Sequence, residues 1–168
     1  RMDVLTPRAG AVASPAIPAV ADTRRSISVV VPVYDEAIVL PEFHSRLAAA
    51  LDSLDASAEI VYVDDGSRDA SAALLAELRA GDPRVAVIGL SRNFGKEVAM
   101  TAGIDHAQGD AVIVIDADLQ DPPELIGDMV RAWRDGADVV LMRRAHRAQE
   151  SWLKRSTSAA FYRVIGRL

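Results

Sequence analysis

The chain has 168 residues, 50% of them hydrophobic and 26% charged, which suits one globular domain with a buried core. It has no cysteine, so disulfides and thiolate metal sites are excluded, and any metal must be held by carboxylates, carbonyls or His. The net charge of -5 conceals a split: residues 143–168 carry seven Lys/Arg against the single acid Glu150, so this end suits an anionic partner such as pyrophosphate or a lipid surface.

Residues 1–25 read as a flexible Ala/Pro-rich leader, because the apolar stretch 9–21 contains Pro15 and Pro18. It lacks the pattern of a signal peptide. No apolar run approaches the roughly 20 residues of a membrane span. From Ser26 the pattern changes. ISVVVPV (27–33), EIVYVDD (59–65), RVAVIGL (84–90), DAVIVID (110–116) and ADVVLM (137–142) are near-continuous apolar runs, as in strands of a mostly parallel sheet. Helices are expected between them at about 39–54, 69–80, 96–107 and 123–135. Asp69 is the expected N-cap of the second, and Pro122 and Pro123 suit the first turn of the fourth. This alternation predicts an α/β fold over 26–148, with helices sandwiching the sheet through right-handed crossovers.

Residues 149–168 are expected to form a basic amphipathic helix. Leu153, Ala160, Phe161, Val164, Ile165 and Leu168 share one stripe, flanked by Trp152 and basic residues. Such a helix lies on an anionic membrane surface or covers a sheet edge. Because the chain stops directly after the stripe, this segment reads as the start of a longer acceptor-side or membrane region.

In open α/β sheets, ligands bind beyond the carboxyl ends of the strands, and every unusual polar cluster here falls at such an end. Asp116 and Asp118 are spaced so that two carboxylates can approach one hard cation, Mg²⁺ or Mn²⁺, with phosphate oxygens and waters as further ligands. Gln120 can add an oxygen. Asp64 and Asp65 are adjacent and point to opposite faces, so one can accept from a base or ribose while the other orients the Gly66-Ser67 turn. Arg92, Lys96, Arg144 and Arg147 are candidates for diphosphate contacts. His44, His106 and His146 show no metal-ligand spacing. There is no P-loop and no Gly-x-Gly-x-x-Gly.

Taken in order, VPVYDE (31–36), VDDGSRD (63–69), LSRNFGKEVAMTAG (90–103), DADLQDPPEL (116–125) and RAQESWLKR…FYRVIGRL (147–168) resemble glycosyltransferase family 2. The likeness is to its dolichol-phosphate-mannose-synthase-like branch, the bacterial polyprenyl-phosphate glycosyltransferases. The resemblance implies a GT-A fold for 26–148, a nucleotide-diphosphate-sugar donor, UDP-linked by likeness to the bacterial branch, and a divalent metal. It also implies a polyprenyl-phosphate acceptor, inversion at the anomeric carbon and work at the cytoplasmic face of a membrane. Nucleic acid is not an expected partner, and a homo-oligomer is left open. By motif, Pro32, Tyr34 and Glu36 line the nucleotide pocket, and Asp65 contacts base or ribose. The Asp116-Ala117-Asp118 segment, with both aspartates as catalytic residues, and Gln120 hold metal and diphosphate. Arg144 and Arg147 approach the phosphates of donor or acceptor.

Other readings use the same residues. A soluble family 2 transferase with a polysaccharide acceptor, or a catalytically incomplete nucleotide-sugar-binding fragment, shares the donor site. A haloacid-dehalogenase-type phosphatase uses an Asp-x-Asp, but there it opens the domain, whereas Asp116 follows three other strands. A receiver domain wants a Lys after a later strand, and the only Lys beyond 96 is Lys154, in the tail.

Overall fold

The computed structural model describes residues 2–5 and 25–144, with side chains over 25–142. The described residues fall into two compact units, 25–131 in one and 2–5 with 132–144 in the other.

The larger unit is built on a four-stranded, wholly parallel sheet. In chain order its strands are β2 (Ile27–Val33), β3 (Ala58–Asp64), β4 (Val85–Gly89) and β5 (Ala111–Val114), arranged β4-β3-β2-β5. β2 and β3 are central and almost fully buried, which is why Val29, Val30, Val31, Ile60, Val61 and Val63 run without polar alternation. Burying each such side chain contributes roughly 1.5–3 kcal/mol, so these two strands anchor the core.

Helix α1 (Leu40–Asp52) buries Leu40, Phe43, Leu47 and Leu51, spaced three or four residues apart as one helical face requires. Its His44 is hydrogen-bonded to Tyr62 of β3. Helix α2 (Ser71–Gly81) buries Ser71 and Leu75 and packs against β4 and β3. Helix α3 (Lys96–His106) buries only Ala99 and Gly103. These small residues let it lie close on the sheet: a Cβ at Gly103 would stand 2.3 Å from Val30 Cγ1 and 3.0 Å from Val63 Cγ2. Val61, in the cluster with Ala99 of α3, and Tyr62, the partner of α1, are adjacent strand residues and face opposite ways. Thus α1 and α3 cover opposite faces, the sandwich expected from the β-α alternation.

Three local details differ from the sequence reading. Asp69 does not cap α2 as N-cap. Ala70 holds that position, and the Asp69 carboxylate instead accepts from Ser71 N–H two residues on, at 2.9 Å. Pro123 opens a single 3-10 turn, Pro123–Leu125, before helix α4 (Ile126–Arg134). The run 137–142 is not a fifth strand of the parallel sheet. Only Leu141–Arg144 is a strand, β6, paired antiparallel with β1 (Met2–Leu5) in a separate two-stranded sheet of the smaller unit. Val139 and Leu141 are more than half exposed. Without a buried face, their β-branched and apolar character does not fix a register in the larger sheet. Met2–Leu5, read as part of the leader, is thus a strand.

Among the described residues no helix is long and apolar enough to cross a membrane. The expected helix at 149–168 lies outside the described residues.

Candidate functional site

At the carboxyl ends of β2, β3 and β5, beside the start of α3, the larger unit opens a cleft of about 260 Å³. Its wall takes Pro32, Tyr34 and Glu36 from the end of β2 and Asp65 from the end of β3. Lys96 comes from the first residue of α3, and Asp116, Ala117 and Asp118 follow β5. These eight are all residues singled out in the sequence, drawn together from four separate stretches. Asp64, Arg92 and Gln120 are not part of that wall. Arg144 lies in β6 of the smaller unit, opposite Met2, and its side chain, like all of Arg147, is outside the described residues.

The sequence reading missed four wall residues: Val33, Asn93, Gly95 and Ala99. Asn93 and Gly95 sit inside the Ser91-Arg92-Asn93-Phe94-Gly95-Lys96 motif, where attention to charge picked out Arg92 and Lys96. Val33 and Ala99 carry no chemical signal.

The rim loops are latched by side-chain oxygens. Asp64 and Asp65 divide the work as their opposite facing requires: Asp64 accepts from Ser67 N–H at 2.9 Å and shapes the turn. Asp65, only 3% exposed, accepts from Phe94 N–H at 2.8 Å and Gly95 N–H at 2.9 Å. Both of its oxygens therefore carry the loop that leads into α3. Gly66 has φ +71°, and a Cβ there would lie 2.5 Å from the Arg92 carbonyl carbon, so these two loops touch backbone to backbone. On the other side, the Asp35 carboxylate accepts from Arg68 N–H at 2.7 Å, and Ser71 Oγ accepts from Glu36 N–H at 2.9 Å. Arg92 is held with its guanidinium 4.2 Å from the Phe94 ring centroid, a cation–π contact at the exposed edge of the loop.

The cleft is strongly acidic. Burial pushes the Glu36 carboxyl above its ordinary range, and the negative charges of Asp118, Asp69 and Asp116 add to the rise. One cation answers this field from within the wall: Lys96 Nζ lies 2.6 Å from Asp116 Oδ2. Asp118 Oδ1 accepts from Gln120 N–H at 2.9 Å across Leu119, whose φ is +60°. A left-handed leucine costs about 1–2 kcal/mol, and such strain gathers where a loop must aim side chains.

Among the described residues no three His, Asp, Glu or Cys converge as a ready metal cage. The donor set at the cleft is instead a pair of carboxylates, Asp116 and Asp118. That set fits a hard divalent cation that keeps waters and takes substrate phosphates as its other ligands. His44 and His106 lie elsewhere: His44 binds Tyr62, and His106 Nδ1 is 2.8 Å from the Ala102 carbonyl of its own helix.

Residues 28–167 match the family model described as glycosyl transferase family 2. The chain is 49% identical to an uncharacterized glycosyltransferase, YkcC, of Bacillus subtilis, over 82% of this chain and 43% of the relative. It is 43% identical to the bactoprenol glucosyl transferase of Shigella phage SfV, over 84% of this chain and 46% of the relative. It is 44% identical to the undecaprenyl-phosphate 4-deoxy-4-formamido-L-arabinose transferase of Shewanella sediminis, over 84% of this chain and 43% of the relative. The chain thus spans a little under half the length of these curated relatives. Among solved structures, S. aureus TarS 1–349 in complex with UDP-GlcNAc aligns with a TM-score of 0.55 and 25% identity, over 66% of this chain and 31% of that one. The mannosyltransferase PcManGT of Pyrobaculum calidifontis, in complex with GDP-Man and Mn²⁺, aligns at 0.52 and 26%, over 57% and 28%. The parallel sheet sandwiched by helices is the GT-A-like fold of these glycosyltransferases, and with the family model covering nearly all of the larger unit and beyond, the chain belongs to glycosyl transferase family 2.

Proposed function

We propose that this chain is the donor-binding part of a metal-dependent, inverting glycosyltransferase that moves a sugar from a nucleotide-diphosphate sugar, UDP-linked, to a polyprenyl phosphate. The observation that carries the reading is the convergence of Asp116, Asp118, Lys96 and Asp65 with Pro32 and Tyr34 in one cleft at the carboxyl ends of the strands. Relatives that bear bactoprenol or undecaprenyl phosphate in their names support the acceptor class. The full protein would work at the cytoplasmic face of a membrane, with Arg144, Arg147 and the basic segment 149–168 assigned to acceptor phosphate and membrane surface.

Asp116 and Asp118 would hold Mg²⁺ or Mn²⁺, with Gln120 adding an oxygen directly or through water. Bound there, the cation would supply charge neutralisation at the donor diphosphate. Pro32 and Tyr34 give the cleft wall apolar surface and suit the nucleoside. Asp65 fixes the Phe94-Gly95 backbone, and so sets where the start of α3 meets the donor. Lys96 provides a mobile cation for a leaving nucleotide diphosphate. The acceptor phosphate is already ionised at neutral pH, so attack on the anomeric carbon needs positioning more than a strong base.

Calorimetric titration with UDP, GDP and their sugars, with and without Mn²⁺, tests the donor site. One nucleotide should bind in a metal-dependent manner, and Asp118→Asn should abolish that dependence. Full metal-dependent binding by Asp118→Asn would overturn the metal assignment.

A further inference from the structure

We infer that Lys96 is the cation that holds Asp116 when no divalent metal is bound, and that its ammonium passes from Asp116 to the donor diphosphate as the metal enters. The inference rests on the donor-site reading above, which already gives Lys96 to the diphosphate, and adds its hold on Asp116 before the metal enters.

Lys96 Nζ and Asp116 Oδ2 are 2.6 Å apart, closing an ion pair across the cleft between the start of α3 and the loop after β5. Local sequence does not favour this placement. Lys96 is the first residue of α3, where the helix dipole favours acids and opposes cations. Its compensation is tertiary: Asp116 and Asp118 both act on Glu36, so three carboxylates share this end of the cleft, and Lys96 is their one wall cation.

The pair is also built to open. Lys96 is 55% exposed and Asp116 31% exposed, so water screens the attraction and the pair resists displacement only weakly. A lysine ammonium swings on a four-carbon stem, whereas Arg92 is stacked on Phe94. A divalent cation on the Asp116 carboxylate would repel the ammonium from its present position. The phosphates that accompany that cation offer the nearest new anions.

Mn²⁺ binding to this chain, read by water-proton relaxation, tests the idea in four proteins: the natural chain, Lys96→Met, Asp116→Asn and the double variant. Without nucleotide, Lys96→Met should bind Mn²⁺ about three- to tenfold more tightly than the natural chain. That gain should vanish in the Asp116→Asn background, as a direct pair requires. With Mn²⁺ saturating, Lys96→Met should bind UDP about tenfold more weakly. Unchanged or weaker Mn²⁺ binding by Lys96→Met overturns the inference, as does an equal gain in the Asp116→Asn background, which would make Lys96 a general surface charge. If Asp116→Asn binds Mn²⁺ and UDP as the natural chain does, the donor-site reading itself falls. Thermal melts of the four proteins separate binding effects from unfolding.

Discussion

Replacing Asp65 by Asn separates a residue that builds the cleft from one that merely faces it. The carboxylate is 3% exposed and both oxygens accept backbone N–H groups, from Phe94 and Gly95. An amide keeps one acceptor and turns an NH₂ towards the other donor. The change therefore loses one charge-assisted hydrogen bond, and the N–H it frees belongs to a loop in which Phe94 is exposed and Gly95 half-buried. Hydrogen bonds to a charged group contribute about 1.5–3 kcal/mol. Because water can reach the freed N–H, Asp65→Asn should destabilise the fold by about 1.5–3 kcal/mol, the contribution of that one bond. In urea unfolding followed by circular dichroism, the midpoint should fall with no change in slope. Amide exchange at Phe94 and Gly95 should accelerate more than at β2, because the loop opens before the sheet does. A loss under about 0.5 kcal/mol, with unaltered protection at Phe94 and Gly95, would refute the reasoning.

Gly103→Val places branched atoms where even a Cβ would stand 2.3 Å from Val30 Cγ1 and 3.0 Å from Val63 Cγ2, so stability should fall by about 3 kcal/mol in the same urea assay. A midpoint within error of the natural chain would show that α3 can lift off the sheet. Burial lowers the His44 pKa below its usual 6.5, as does Arg84, against an opposing rise from Asp82, with Tyr62 on the other ring nitrogen. The unfolded chain then takes up the proton first, so His44 removes stability as pH falls from about 6.5 towards its lower folded pKa. His44→Gln should flatten this part of the pH–stability curve, and an unchanged slope between pH 6.5 and 5 would remove His44 as its source.

Much of the larger unit is legible in the sequence because two physical patterns are local. Fully buried parallel strands must be apolar on both faces, so β2 and β3 announce themselves. Helix periodicity places α1 over Leu40, Phe43, Leu47 and Leu51. The rule that ligands sit at the carboxyl ends of parallel strands then picks out Asp116, Asp118, Glu36 and Asp65 before any coordinates. The same local logic fails at 137–142. An apolar run is a strand of a given sheet only if that sheet buries it, and Val139 and Leu141 stand exposed.

By itself, then, the sequence determined the α/β alternation, the family and the acidic rim, because these follow from periodicity, composition and ordered motifs. Tertiary structure alone decided what those residues do to one another. It set both oxygens of Asp65 on the backbone of a loop about 30 residues away. It brought Lys96 to Asp116 across 20 residues, against the preference of its own helix terminus. It also put Asn93, Gly95 and Ala99 in the cleft wall. Such contacts depend on how close two chain segments lie in space, and no pattern along a single segment encodes that distance.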